Sequence, residues 1–312
     1  MAIKLISCHA VFNECALVMS QKYNWTLETE FNPQSQDLYV VLGGHELAHT
    51  LLEVQIRKNM SFGYVILNSE QLHSQFFKNK YYLELMKRNI VCDYNSLTCE
   101  YLKATHNIKV FSFFFFEFMK FTLETEREYD IVFVGTPNDT RLDLYKQLKE
   151  TYPNLNIFFD LDWKHSAPDT LTTLLHKAKV VLNMPYHKEN ALETHRINKA
   201  LACGCQVISL PSCEQDANQF YEPYVHFTDD IVSYAGVYFK EPTFKKNYEE
   251  LIQALTQKCT QHFLFVIQQI HLKLKSLSTT NEPASEVVSE PPTSDTNLPT
   301  CEETKDADGN SV

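Results

Sequence analysis

Short, almost wholly apolar runs alternate along this chain with longer stretches of helical spacing, and the pattern is completed twice. Ala2 to Cys8 reads as a strand and Glu14 to Tyr23 as a helix. Asp37 to Leu42 is apolar and closes on Gly43-Gly44, as expected of a buried strand ending in a tight loop. His45 to Lys58 then carries Leu47, Leu51, Leu52 and Ile56 at helical intervals. Gly63 to Leu67 is a further buried strand, and Gln71 to Arg88 reads as helical. A strand at Asn89 to Cys92, a helix at Asn95 to Thr105 and a strand from Ile108 complete the first pass. Strands that alternate with helices predict a parallel sheet covered on both faces.

The pattern restarts after a charged stretch, Lys120 to Glu128, read as a linker. Asp130 to Val134 is a strand ending at Gly135, Asp139 to Tyr152 a helix and Leu155 to Phe159 a strand. Asp169 to Ala178 is a helix, Lys179 to Asn183 a strand, Asn190 to Cys203 a helix stopped by Gly204, and Gln206 to Leu210 a strand. The expected fold class is α/β, with two Rossmann-like domains facing each other. Residues 1–122 form the first and 129–245 the second. Residues 246–277 form a long closing helix, packed through His262, His271 and the apolar residues from Phe263 to Ile267. In such sheets ligands bind beyond the carboxyl ends of the strands. The candidate loops are therefore Gly43 to Glu46, Asn68 to Gln71, Gly135 to Arg141, Asn183 to Glu193 and Ser209 to Glu214.

Charge and composition narrow the function classes. The net charge is −11, of which −7 lies in residues 278–312, a Pro-, Ser- and Thr-rich acidic stretch expected to be disordered. The nearly balanced body argues against a nucleic-acid partner. Nine cysteines without a CxxC pair suggest reduced thiols and a cytoplasmic setting. No run reaches the ~18 to 20 apolar residues of a membrane span. The Phe-rich run from Phe111 to Phe121 is shorter, contains Glu117 and Lys120, and reads as a buried crossover strand.

The segment richest in chemistry is Val181 to Ser209. A strand ends in Asn183, a loop follows, and a helix carries Glu193 and Arg196 before the small-residue turn Ala200 to Gly204. Spaced three apart, Glu193 and Arg196 are neighbours on one side of a helix. A guanidinium near a helix start suits phosphate, and a carboxylate suits hydroxyls. The structural alternative is a capping box from Asn190 to Glu193, with Arg196 as ion-pair partner. Gly135 to Arg141 adds a glycine, a polar loop and a base, equally suited to a helix-start turn or to phosphate.

These segments resemble the donor-binding side of GT-B-fold glycosyltransferases, especially the small spore-maturation-type and group 1 sets. His45, Glu70, Gln71, Asp93 and Tyr94 match the acceptor side of the same pattern. The resemblance implies transfer of a sugar from a nucleotide-sugar donor to an acceptor of unassigned class, whether glycan, protein or small molecule. It implies donor binding by Gly135, Arg141, Asn183, Glu193, Arg196 and Lys199, and catalytic roles for His45, Glu70 and Glu193, with His45 as acid/base. No bound metal and no cofactor beyond the co-substrate are implied. The retaining pattern has two glutamates eight apart, and Ala191 and Lys199 stand in their places here. That departure supports an alternative, a catalytically inactive nucleotide-sugar-fold binding protein.

Two metal motifs compete. His45-Glu46-Leu47-Ala48-His49 is an HExxH string, which on a helix would present two zinc ligands and a general base, as in a metalloprotease. Asp160-Leu161-Asp162 is a DxD string that could hold a divalent cation, or form a solvated turn at a strand end.

Overall fold

The computed structural model describes residues 2–60, 63–72, 74–112, 126–162, 164–165, 167–186, 191–238 and 248–279. The first half contains β1 (Ile3–Ser7), α1 (Asn13–Tyr23), β2 (Thr26–Glu28), β3 (Leu38–Leu42), α2 (Ala48–Arg57) and β4 (Tyr64–Asn68). It continues with α3 (Lys80–Arg88), β5 (Ile90–Asp93), α4 (Ser96–His106) and β6 (Val110–Ser112). All its strand pairs are parallel, in the order β2-β1-β3-β4-β5-β6.

The second half contains β7 (Tyr129–Val134), α5 (Asp139–Thr151), β8 (Ile157–Asp160), α6 (Pro168–His176), β9 (Ala178–Asn183) and α7 (Thr194–Ala202). It ends with β10 (Gln206–Ser209), α8 (Gln215–Tyr221), β11 (His226–Phe227), α9 (Ile231–Tyr238) and α10 (Tyr248–Thr279). This sheet is also parallel, in the order β11-β10-β9-β7-β8.

Both sheets are covered on both faces, which is why their strands read as continuous apolar runs. Along β7, Val132 and Val134 enter one core with Leu174, Val181 and Ile197. Ile131 and Phe133 enter another with Leu148, Leu182 and Ile208. In the first sheet Tyr39, Val41, Ile66 and Val91 share a core with Leu51, Tyr82 and Leu85, while Leu5, Val40 and Val65 are buried as their alternates. Each sheet reverses its winding once, between β1 and β3 and between β7 and β9. These are the topological switch points, where such sheets open a crevice.

Residues 1–273 make one unit that includes both sheets, and α10 ties them together. Its Leu255 joins the core of the second sheet, and its Phe263 stacks at 5.4 Å on Tyr23 of α1. His271 is exposed rather than packed, because Phe263, Val266 and Ile270 already supply the buried stripe. The second unit, residues 274–312, is described only as the last residues of α10. No helix among the described residues is long and apolar enough to cross a membrane. The linker before residue 126, the Phe run after Ser112 and the acidic stretch beyond Thr279 lie outside the described residues.

Several boundaries differ from the sequence reading. The stretch expected to be helical from Gln71 is a loop and a short 3-10 turn, Gln75–Lys78. The helix starts only at Lys80, because the Asn79 side chain accepts from the Tyr81 and Tyr82 amides and sets the cap there. The helix expected from His45 begins at Ala48, after a turn closed by the Glu46 amide on the Gly43 carbonyl. Gly43 has φ +73°, a conformation L side chains rarely adopt. The helix expected from Asn190 is helical only from Thr194. It stops as anticipated at Gly204 (φ +71°), where the Gly204 and Cys205 amides return to the Leu201 and Ala200 carbonyls. Arg127 then binds the Cys203 and Gly204 carbonyls at 3.0 and 3.2 Å, anchoring the start of β7 to the end of α7.

Candidate functional site

Arg196 stands at the second switch point. Its Nε donates to the Val134 carbonyl at the end of β7 (3.0 Å), and its Nη1 to Asn183 Oδ1 at the end of β9 (2.9 Å). Asn183 is itself fixed by donating to Ser209 Oγ at 3.0 Å. Arg196 thus senses the carboxyl ends of two adjacent strands, and Asn183 owes its burial to that duty.

Glu193 neutralises this corner. Its carboxylate pairs with Arg196, accepts from Arg141 Nη2 at 3.2 Å and accepts from the Tyr186 amide at 3.1 Å. These bonds displace the capping-box reading. Glu193 occupies the N-cap position with non-helical ψ 70° and makes no side-chain cap bond. Asn190 lies outside the described residues.

Arg141 is turned inward, with only 2% of its surface exposed. It donates to the Thr136 carbonyl at 2.7 Å and the Met184 carbonyl at 2.5 Å, so it ties the loop after β7 to the loop after β9. Both guanidiniums lie over the Phe133 ring, at 4.9 Å for Arg141 and 5.0 Å for Arg196. Burial, with Arg196 beside it, lowers Arg141 to about 10, so it stays a cation at neutral pH. Gly135 is required by this crowding. A Cβ there would stand 2.9 Å from Phe133 Cζ and 3.0 Å from Arg196 Nη2.

Lys199, one turn further along α7, is buried and paired with Glu14 of α1, in the other half of the molecule. Glu214 makes a second bridge. Its carboxylate accepts from the Ser96 amide (2.9 Å), Ser96 Oγ (2.7 Å) and Asn95 Nδ2 (3.3 Å) at the start of α4, and from the Leu192 amide (3.2 Å) on its own side. A carboxylate from the second sheet therefore caps a helix of the first.

Between the two switch points lies a cavity of about 230 Å³. The second half contributes Glu193, His195, Arg196 and Lys199 from the start of α7. The first half contributes Ser69, Gln71 and Tyr94 from the ends of β4 and β5, and Val11 and Phe12 from the segment after β1. Burial raises the Tyr94 hydroxyl far above its ordinary range, and Asp93, Glu193 and Glu70 add to this. Burial, then Lys199 and Arg196, lower His195 to about 4, so the ring is neutral at pH 7.

The expected acceptor-side residues gather nearby. His45 is buried, with its ring 4.3 Å from that of Phe76 and its Nε2 3.3 Å from Glu70 and 3.4 Å from Glu46. Burial lowers its pKa against the raising effect of both carboxylates. Glu70 also accepts from Ser74 Oγ at 2.6 Å. Neither His45 nor Glu70 walls the cavity, whereas Ser69 and Gln71, flanking Glu70, do. Asp93 is fully buried, accepting from Asn68 at 2.5 Å and from the Asn95 amide at 2.8 Å, and burial raises its carboxyl strongly. The sequence offers Tyr94 only as a pattern match and Glu214 only as the end of a candidate loop, and it gives no role to His195 or Glu14. For His195 the signal was its place between Glu193 and Arg196. For the two carboxylates none existed, since their partners lie in the opposite half.

The metal motifs do not assemble. His45 precedes α2 and is buried, while His49, on α2, is exposed and packs edge-on against Tyr81. The helix begins too late to bring the two rings to one face. Asp160 spends its carboxylate on the Asp162, Lys164 and His165 amides, and the exposed Asp162 pairs with Lys164. Among the described residues no three His, Cys, Asp or Glu side chains are grouped to hold a metal ion.

Two facing Rossmann-like units make the architecture GT-B-like. Among solved structures, the chain is similar to a chain of the GtfA/B complex, with TM-score 0.48 and 9% identity over 76% of this chain and 58% of that one. It is also similar to an α,α-trehalose 6-phosphate synthase from Burkholderia multivorans, with TM-score 0.45 and 8% identity over 89% and 77% of the two chains. The chain thus spans less than two thirds of the GtfA/B chain it matches. No family model and no curated protein matches the sequence. The architecture rests on strand order and on the facing switch points, not on these likenesses.

Proposed function

We propose that this chain transfers a sugar from a nucleotide-sugar donor to an acceptor held between its two halves. One observation carries the reading. The start of α7, at the second switch point, brings Glu193, His195, Arg196 and Lys199 to a cavity whose opposite wall is Val11 and Phe12 after β1 and Ser69, Gln71 and Tyr94 beyond the ends of β4 and β5. In this reading the donor diphosphate lies along the loops after β7 and β9, at Gly135 and Arg196. Asn183 and the Val134 carbonyl hold that guanidinium in advance. Arg141 and Lys199 add positive potential from behind, each already paired with a carboxylate. Glu193 exchanges part of its hold on the two arginines for sugar hydroxyls. On the acceptor side the candidate acid/base is the His45–Glu70 pair, which lies behind Ser69 and Gln71 rather than in the cavity wall, with burial lowering the imidazole pKa.

A thermal-shift panel of nucleotide sugars on wild type and Arg196→Ala tests this. At least one donor should stabilise the wild type, by about 2.7 kcal/mol at a hundredfold excess over Kd, and the variant should lose most of that gain. If no nucleotide sugar shifts the wild-type transition, the reading fails. The buried Lys199–Glu14 pair favours a second reading, a fold that binds the donor without turning it over. Stabilisation by a donor without release of nucleoside diphosphate, across a panel of acceptors, would select it.

A further inference from the structure

The cavity between the switch points is uneven in character. One part of its wall is Val11, Phe12, Val134, Leu171, Leu175 and Val181, none with a polar side chain. The charges that line it are already matched, Arg196 by Glu193 and Lys199 by Glu14. Its volume, about 230 Å³, falls below the ~300 Å³ at which ordinary ligand sites begin. Such a space holds a one- or two-ring body, and the donor of the proposed transfer would lie along the loops beside it.

We infer that this cavity is a binding site for a small neutral molecule with an apolar body and a single hydroxyl, of the class of phenols and aryl alcohols. The six apolar residues cover the body, and Phe12, whose ring meets that of His195 edge-on at 5.6 Å, offers an aromatic wall. Tyr94, whose hydroxyl also hydrogen-bonds Gln71, and His195 are the neutral polar rings that line the cavity, and a ligand hydroxyl would join them. The phenol is held protonated by burial and the imidazole is held uncharged, so neither asks for a charged ligand. A polyol is disfavoured, since each hydroxyl buried against valine and leucine without a partner costs about 1–3 kcal/mol. Calling the bound molecule the acceptor rests on the transfer reading above, but its binding does not.

Titration calorimetry on the full chain, without donor, tests the site with 1-naphthol as probe and glucose as control. The expected result is saturable binding of 1-naphthol with a negative heat-capacity change, and no binding of glucose. Leu171→Trp and Val11→Trp fill the cavity from opposite walls, and each should weaken 1-naphthol at least tenfold. Two variants are used so that one failing to fold leaves the other to read, with wild-type circular dichroism as the condition for counting either. Absence of 1-naphthol binding, equal binding of glucose, or unchanged affinity in a folded tryptophan variant overturns the inference. Nucleotide-sugar stabilisation without 1-naphthol binding removes this site and leaves the transfer reading standing. The converse result keeps the site and removes transfer.

Discussion

At the scale of single residues, the corner beneath Arg196 leaves no spare volume. Gly135→Ala would place a methyl group 2.9 Å from the Phe133 ring and 3.0 Å from the Arg196 guanidinium. The ring cannot yield without disturbing its core, so the guanidiniums must move. The expected loss is about 1–3 kcal/mol, the usual range for overpacking. Denaturant unfolding would show it, and a stability equal to wild type would mean that the corner is looser than drawn. His195 sets a pH dependence. A histidine whose folded pKa lies near 4, against an ordinary 6.5, binds fewer protons folded than unfolded between those values. Its contribution is complete above pH 6.5 and is lost as pH falls towards 4. The loss amounts to at most about 3 kcal/mol. His45, also lowered, acts with the same sign. Unfolding measured at pH 7 and pH 4.5 should give a smaller difference for His195→Gln than for wild type, and an equal difference would remove His195 as the cause.

At the scale of elements, the strands were legible because each buried strand is a short run of large apolar residues bounded by turn formers. β3, β4, β7 and β9 were all placed to within a residue or two on that basis. β2, β11 and α8 were missed because they are short and only partly buried, so their periodicity is weak. The start of α7 was read too early because Glu193 looked like the end of a capping box. Its carboxylate instead answers two arginines, one of them 52 residues away in sequence. Glu214 illustrates the same limit. Nothing near it in sequence indicates that its partners are Asn95 and Ser96. Glu214→Gln keeps one acceptor oxygen for Ser96 but turns an NH2 group towards the donors Asn95 Nδ2 and Leu192 N–H. The expected cost is about 1.5–3 kcal/mol, the range for hydrogen bonds to a charged group. A melting temperature matching wild type would show that water replaces the lost bonds.

At the scale of the whole molecule, the halves are joined by the Lys199–Glu14 pair, by Glu214 on α4 and by α10. The ion pair is buried, so each single substitution strands a charge. Lys199→Met and Glu14→Leu should each cost about 3–5 kcal/mol, and the double variant should recover most of it. Additive losses in this cycle would mean that the two side chains act independently. Lys199 stands where the pattern the sequence resembles carries a glutamate. Its partner, 185 residues away, gives the lysine a physical reason: the position is part of the joint between the halves.

The Glu214 bridge also makes the molecule its own gauge. The amides of Ser96 and Leu97 head a helix of the first half, yet their acceptor belongs to the second, at 2.9 and 3.4 Å. No partner within α4 shields them, since the first amides of a helix have none. Their hydrogen exchange therefore times the parting of the two walls, separately from unfolding of either sheet. A ligand that draws the walls together should slow exchange at these two amides while leaving those in the middle of α4 unchanged.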